Sequence, residues 1–249
     1  MTIRIAMWSG PRNISTAMMR AWENRPDTVV HDEPFYAHYL KKTGIAHPGA
    51  AEVIARQSTD WQEVAHQVSE GTVAAELYFQ KHMTLHMLDG MDLVWTKKLR
   101  HYFLIRDPLH VVNSYVKKRP EITAEDIGIQ RQLLLYEQLC EITGQAIPIL
   151  DAKDVLSRPR PMMEMLCSML DIPFYEDMLS WPAGSRDSDG VWAKYWYHAV
   201  EASTGFEPFK EPVIEVTEAQ RQVAENSRPA YNVLYKNRMS IAPSNSSQA

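Results

Sequence analysis

The sequence predicts an α/β fold of three layers, a mostly parallel central sheet between flanking helices. Three observations carry this reading. The chain opens with an apolar strand pattern, a Gly-Pro turn and a helical pattern in direct succession, from Ile3 to Trp22. Short apolar runs then recur along the chain, interleaved with helical patterns. Finally, 249 residues with 45% apolar side chains suffice to bury one substantial core.

The elements follow in order. Ile3 to Trp8 reads as a buried strand interrupted only by Arg4, and Gly10-Pro11 turns the chain. Ser15 to Trp22 repeats apolar residues at helical spacing, with Ala17, Met18, Ala21 and Trp22 on related turns. Thr28 to His31 is a second short strand that runs into the polar cluster His31, Asp32 and Glu33. Residues 41–70 read as a polar helical excursion with loops at Gly44 and Pro48. Val73 to Phe79 suits a strand, although Ala74-Ala75-Glu76-Leu77 also suits a helix. Leu93 to Trp95 is short and apolar, and Tyr102 to Ile105 is a stronger strand that stops at Arg106-Asp107-Pro108. Helices are expected from Val111 to Lys118, over Ile127 to Ile142 and from Pro161 to Leu170, with a strand at Ile147 to Leu150. From Pro173 to Phe206 the chain is rich in Trp, Gly and Ser and has little periodicity. Residues 1–241 are read as a single domain and the polar, Ser-rich 242–249 as a disordered tail.

Composition removes whole classes of function. A charged fraction of 23% and 10% aromatics exclude a disordered chain, a collagen and a low-complexity array. The net charge of −5 argues against a broad nucleic-acid surface but leaves room for a local anion site. Cys140 and Cys167 exclude a disulfide framework and a zinc site of their own; each lies among Leu or Met and reads as core. No apolar run reaches signal-peptide or membrane-spanning length, so a soluble, cytoplasmic protein with no membrane partner is expected.

The first segment with chemistry is Trp8-Ser9-Gly10-Pro11-Arg12-Asn13-Ile14-Ser15-Thr16. A loop that delivers a strand into a helix N-terminus presents unpaired N–H groups and partial positive charge to an anion. Ser15 and Thr16 add hydroxyls, and Arg12 adds a permanent charge with forked donors. The Walker A pattern is not met, because the second Gly and the Lys are missing. The plainer alternative makes Ser15 a helix cap and Arg12 a surface charge. The second segment is the strand ending at Arg106 with Ser114 eight residues later, about two turns into the next helix, so both side chains can reach one anion.

Together these loops resemble the sulfotransferases that use 3′-phosphoadenosine 5′-phosphosulfate (PAPS). Pro11-Arg12-Asn13-Ile14-Ser15-Thr16 is similar to that family's 5′-phosphosulfate loop, P-[KR]-S-G-[ST]-T. Arg106 and Ser114 keep the spacing of its 3′-phosphate site. Ile147 to Leu156, Pro159 and Leu170 to Phe174 resemble its following strand and helical segment. Arg186 to Gly190 with Trp192 to Lys194 resemble its nucleotide-covering loop. The resemblance spans residues 3–194 and implies a P-loop NTPase-like fold. It departs at Asn13 for Ser, at Ala17 for a Trp that stacks on adenine, and at Ile14 for Gly. Ile disfavours φ > 0, so the loop is expected to differ locally or not to need that conformation there.

The resemblance implies transfer of a sulfuryl group from PAPS to a hydroxyl or amine of a small-molecule acceptor, leaving adenosine 3′,5′-bisphosphate (PAP). It implies donor binding by Arg12, Asn13, Ile14, Ser15, Thr16, Arg106, Ser114, Arg186 and Trp192. Arg12 is the candidate for charge on the bridging oxygen. Glu33 is the first candidate base; its alternative role is in the first turn of the next helix behind Pro34. Lys81 is assigned to sulfonate contact and His82 to a second possible base or an acceptor contact, with a structural His as the alternative. No metal is expected: His82 and His86 have the i, i+4 spacing of zinc ligands on a helix, but no H-E-x-x-H pattern accompanies them. The aromatic stretch Trp181 to Tyr197 reads equally as a mobile cover or as an anchor for a long loop. The competing functions are a P-loop-type nucleotide kinase or phosphotransferase, and a non-catalytic nucleotide-binding module.

Overall fold

The computed structural model describes residues 2–241; the tail expected at 242–249 lies outside them. Five strands form one sheet: β1 (Ile3–Ser9), β2 (Thr28–Asp32), β3 (Leu77–Met83), β4 (Arg100–Ile105) and β5 (Ile149–Asp151). Their order is β2-β3-β1-β4-β5, and every pairing is parallel. The helices are α1 (Ser15–Glu23), α2 (Tyr36–Thr43), α3 (Ala50–Arg56), α4 (Trp61–Glu70), α5 (Pro108–Tyr115), α6 (Ala124–Ile127), α7 (Ile129–Thr143), α8 (Ala152–Ser157), α9 (Pro159–Met169), α10 (Ala193–Trp196), α11 (His198–Glu201) and α12 (Glu218–Lys236).

Strand alternation divides the core into two layers. Ile5 and Met7 of β1, Phe79 of β3 and Leu104 of β4 pack with Met18 and Trp22 of α1 and Met162 and Leu166 of α9. On the other face Trp8, Tyr78, Phe103 and Ile149 pack with Val64 and Val68 of α4, Leu135 and Leu139 of α7 and Leu234 of α12. Both cysteines pack into these cores, Cys167 in the first and Cys140 against the second. The α/β architecture is therefore the expected one. Among the described residues no helix is long and apolar enough to cross a membrane.

Local chemistry accounts for the boundaries. Asp107 accepts from the N–H groups of Leu109 and His110 with Pro108 in the first turn, so α5 starts three residues before the expected Val111. Strand β3 begins at Leu77 and runs on to Met83, past the expected end at Phe79. The helix expected from Ile127 to Ile142 is broken at Gly128. That residue takes φ +68°, and a Cβ there would stand 2.8 Å from Leu85. Leu93 to Trp95 runs into a 3-10 turn over Val94–Lys98. Helix α12 has no counterpart in the sequence reading, although the reciprocal cap of Thr217 and Gln220 marks its start.

The topology fixes where a ligand can sit. From β1 the chain builds β2 and β3 on one side of β1, then crosses to place β4 on the other. The loops after β1 and β4 therefore meet at a switch point on the carboxyl edge of the sheet, where parallel α/β sheets open a crevice.

Candidate active site

The loop after β1 carries Arg12 at φ 54°, a left-handed conformation unusual for a side chain of that size. Ile14 takes φ −86° and ψ 23° and caps α1 through its carbonyl, which accepts from Met18 N at 2.9 Å. The left-handed turn thus falls on Arg12 and spares the branched residue. Asn13 secures the loop: its Nδ2 donates to Leu104 O of β4 at 3.0 Å, and its Oδ1 accepts from Ile14 N at 2.9 Å. Ser15, Thr16 and Ala17 precede the first intrahelical bond, so their N–H groups face the crevice end of the helix. Ser15 is buried and Thr16 half-buried.

The loop after β4 reaches the same point. Arg106 Nη1 donates to Arg12 O at 2.7 Å, and Arg12 Nε donates to Ser114 Oγ at 3.1 Å. Three residues separated by up to 102 positions are joined in this way. Burial lowers the pKa of both guanidiniums, and the Arg12 charge lowers that of Arg106 further. Neither is neutralised by an ion pair among the described residues. Asp151 and Asp107 act on Arg106 through space and partly offset the lowering of its pKa, but both are engaged: Asp107 by Arg228 at 2.5 Å, and Asp151 by Tyr231 and by the N–H of Lys153, both at 2.8 Å. Two partly buried cations beside a helix N-terminus make a strong anion site.

A second cluster lies along the same sheet edge, at the ends of β2 and β3. Lys81 sits opposite Asp32 in the β2–β3 register and is 1% exposed. Its Nζ donates to Asp32 Oδ1 and Glu33 Oε1, both at 2.6 Å, and to Tyr197 OH at 2.7 Å, so all three N–H groups are used. Tyr197 OH donates to Asp32 Oδ2 at 2.6 Å and accepts from Trp192 Nε1 at 3.1 Å. Burial works against the Lys81 charge, but the two carboxylates outweigh it and hold the ammonium protonated, its pKa well above 10.5. Glu33 takes φ 43° just ahead of α2, with Tyr36 N donating to its carbonyl, so it lies outside the helix whose first turn was the alternative. Burial raises the Glu33 pKa, Lys81 pulls it down, and Asp32 pushes it up again; the outcome is a raised carboxylate.

Of the remaining sequence candidates, Trp192 joins the Lys81 cluster through Tyr197 OH. His82 follows Lys81 in β3 and so points to the opposite face of the sheet. There it stacks on Trp8 at 4.4 Å and bonds Gln80 Oε1 at 3.0 Å, and burial drives its pKa well below 6.5. His82 on the strand and His86 on the next 3-10 turn share no helix face, contrary to the zinc-type spacing considered from sequence. Arg186 donates from Nη2 to Pro182 O at 3.1 Å and from its backbone N–H to Asp189 Oδ2 at 2.8 Å. Trp192 is 2% exposed and packs edge-on to Tyr36. The loop between them is anchored: Arg20 of α1 pairs with Asp189 at 2.7 Å, Glu23 accepts from Ser188, and Gly190 N donates to Asp32 Oδ2 at 3.3 Å. Asp32, Tyr197 and His86 have no catalytic role in the sequence reading, which places Asp32 in a polar cluster at a strand end, Tyr197 in an aromatic stretch and His86 in a zinc-type pair with His82. The acidic pair Asp32-Glu33 at a strand end is the signal for Asp32; no local pattern links Tyr197 or His86 to Glu33.

The family model described as "Sulfotransferase domain" matches residues 3–238. Two Arabidopsis thaliana proteins, branched-chain-amino-acid aminotransferase-like proteins 1 and 2, are 34% and 32% identical over 230 residues, 92% of this chain. The chain spans 41% of the length of each of these relatives. Among solved structures, a sulfotransferase from Alicyclobacillus acidocaldarius matches with a TM-score of 0.55 at 9% identity, covering 96% of this chain and 98% of its own. The sulfotransferase domain of the Synechococcus PCC 7002 olefin synthase matches with a TM-score of 0.51 at 15% identity, covering 90% and 94%. At such identities the likeness is one of fold.

Proposed function

The chain belongs to the sulfotransferase-domain family, and on that premise we propose that it moves the sulfuryl group of PAPS to a hydroxyl or amine of a small acceptor. The observation that carries the reading is the pair Arg12–Arg106, joined to Ser114 at the switch point without a neutralising carboxylate. A donor with a phosphate at the 3′ position and a charged group at the 5′ position fits two such cations and a helix N-terminus. In this reading Arg106 and Ser114 hold the 3′-phosphate. The N–H groups and hydroxyls of Ser15 and Thr16, with the loop through Asn13 and Ile14, hold the 5′ end.

Bound there, PAPS supplies an activated sulfuryl group. The S–O bond to the 5′-phosphate breaks as a bond to the acceptor oxygen or nitrogen forms, and PAP is the other product. Arg12 stabilises the charge that grows on the bridging oxygen. Glu33 takes the acceptor proton, its raised pKa bringing a carboxylate nearer to that task. Lys81 has no N–H left for a sulfonate, so it acts by fixing Glu33. His82 takes no part, and Arg186 and Trp192 brace the loop that covers Asp32.

Calorimetric titration with PAP, against ATP and AMP and with and without Mg²⁺, tests donor choice. Metal-independent preference for PAP is expected. Preference for ATP with Mg²⁺ moves the protein to the phosphotransferases. Glu33→Gln is expected to bind PAP as the wild type does, while release of PAP from PAPS over a panel of alcohols, phenols and amines falls about 10²–10⁴-fold. Wild-type turnover in that variant removes Glu33 as the base, and PAP binding without turnover in either protein points to a nucleotide-binding module.

A further inference from the structure

His86 ends the 3-10 turn Thr84–His86 that follows β3, and it is 5% exposed. Its ring lies against those of Tyr36 and Tyr39 of α2, each at 4.8 Å between centroids, tilted by 8° and 30°. Its Nε2 stands 3.9 Å from Oε2 of Glu33, while Oε1 of the same carboxylate is taken by Lys81. Its Nδ1 is buried without a hydrogen-bond partner among the described residues. A buried imidazole stacked on two rings has few rotamers to choose from, and this one is aimed at the only Glu33 oxygen that Lys81 leaves free.

We propose that His86 is a positioning residue for the transfer: held by Tyr36 and Tyr39, its Nε2–H engages one lone pair of Glu33 Oε2 and so directs the other at the acceptor proton. This rests on the reading of Glu33 as base. The present separation exceeds a hydrogen bond, and under an ångström of side-chain movement closes it; such contacts are often long before substrate binds. Burial, Lys81 and His47 keep the imidazole neutral at pH 7, so it donates one N–H and adds no charge. The other groups facing this pair are Asp32 of β2, Lys81 of β3, Tyr36 and Tyr39 of α2, Tyr197, and His47, whose Nδ1 bonds Tyr36 OH at 2.9 Å and whose pKa burial lowers. Both Tyr36 and Tyr197 have raised pKa values and Lys81 stays protonated, so none of the three changes charge near neutrality.

The test compares His86→Phe, which keeps the stack and removes the donor, with His86→Gln, which offers an amide N–H. The pH profile of PAP release from PAPS is one readout. The other is infrared titration of the Glu33 carboxyl, assigned by difference against Glu33→Gln, which needs no turnover. In His86→Phe the acidic limb and the infrared titration are expected to move up by about one pH unit, turnover at pH 7 to fall roughly tenfold or more, and KM for PAPS to stay within about twofold. His86→Gln is expected to recover most of the loss. An unmoved titration in His86→Phe overturns the proposal, whatever happens to turnover. Absence of any PAP release by the wild type sinks the sulfotransferase reading instead, and the infrared shift still decides the role of His86.

Discussion

At the scale of single residues, Arg106 donates to the backbone carbonyl of Arg12 while the Arg12 charge lowers the Arg106 pKa, and two cations brought together beside a helix N-terminus favour a bound anion. Replacing either side chain separates its roles. Arg106→Ala is expected to weaken PAP binding by about 1.5–3 kcal/mol, roughly 10–150-fold, the range for hydrogen bonds to charged groups. Arg12→Ala is expected to reduce turnover more than PAP affinity, because PAP keeps the 5′-phosphate but lacks the sulfuryl group. Calorimetry with PAP beside steady-state kinetics checks both, and equal losses for Arg12→Ala contradict its transition-state role. The residue spacing that leads to Arg106 and Ser114 is visible in the chain, since a strand end and two helical turns have fixed geometry. The conformation of Arg12 is not. The expectation that the loop avoids a left-handed Ile14 holds, and the left-handed residue is Arg12, while Asn13 ties the loop to β4.

At the scale of elements, the α6–α7 break shows what periodicity hides. Apolar residues continue at helical spacing through Gly128, so the pattern reads as one helix. The structure needs a left-handed residue there and brings Leu85 against its α-carbon. Gly128→Ala is expected to lower stability by about 1–2 kcal/mol from backbone strain, with displacement of Leu85 adding to it. A fall in the urea midpoint at unchanged m-value checks this, and an unchanged midpoint contradicts it. Strand β3 gives a similar lesson with larger consequences. Once it extends to Met83, Lys81 and His82 must point to opposite faces, and only Lys81 joins Glu33. A strand ending at Phe79 leaves both free to be candidates.

Across the whole molecule, buried neutral imidazoles make folding sensitive to acid. His101 donates from Nε2 to Thr96 O at 2.9 Å and accepts from Trp8 Nε1 at 3.1 Å, which fixes one neutral tautomer, and burial pushes its pKa down to about 4. The unfolded chain binds that proton near 6.5. The stabilisation is therefore complete above pH 6.5 and is lost as pH falls toward 4, by about 2 kcal/mol between pH 7 and 5 for His101 alone. His82 and His86 act in the same direction, while Glu33 and Asp151, with raised pKa values, gain stability as pH falls. The net expectation is a lower urea midpoint at pH 5 than at pH 7; equal midpoints contradict it. The α/β class and the positions of Arg12, Arg106 and Ser114 in the loops and helix that follow β1 and β4 were determined by the sequence itself, because each rests on local patterns: strand periodicity, a Gly-Pro turn, an Arg eight residues before a Ser. Only the tertiary structure decided that Lys81 serves two carboxylates, that Tyr197 closes on Asp32 from 165 residues away, and that His86 rather than His82 faces Glu33. Those contacts depend on the β2–β3 register and on which face of the sheet each loop covers, and no spacing along the chain encodes either.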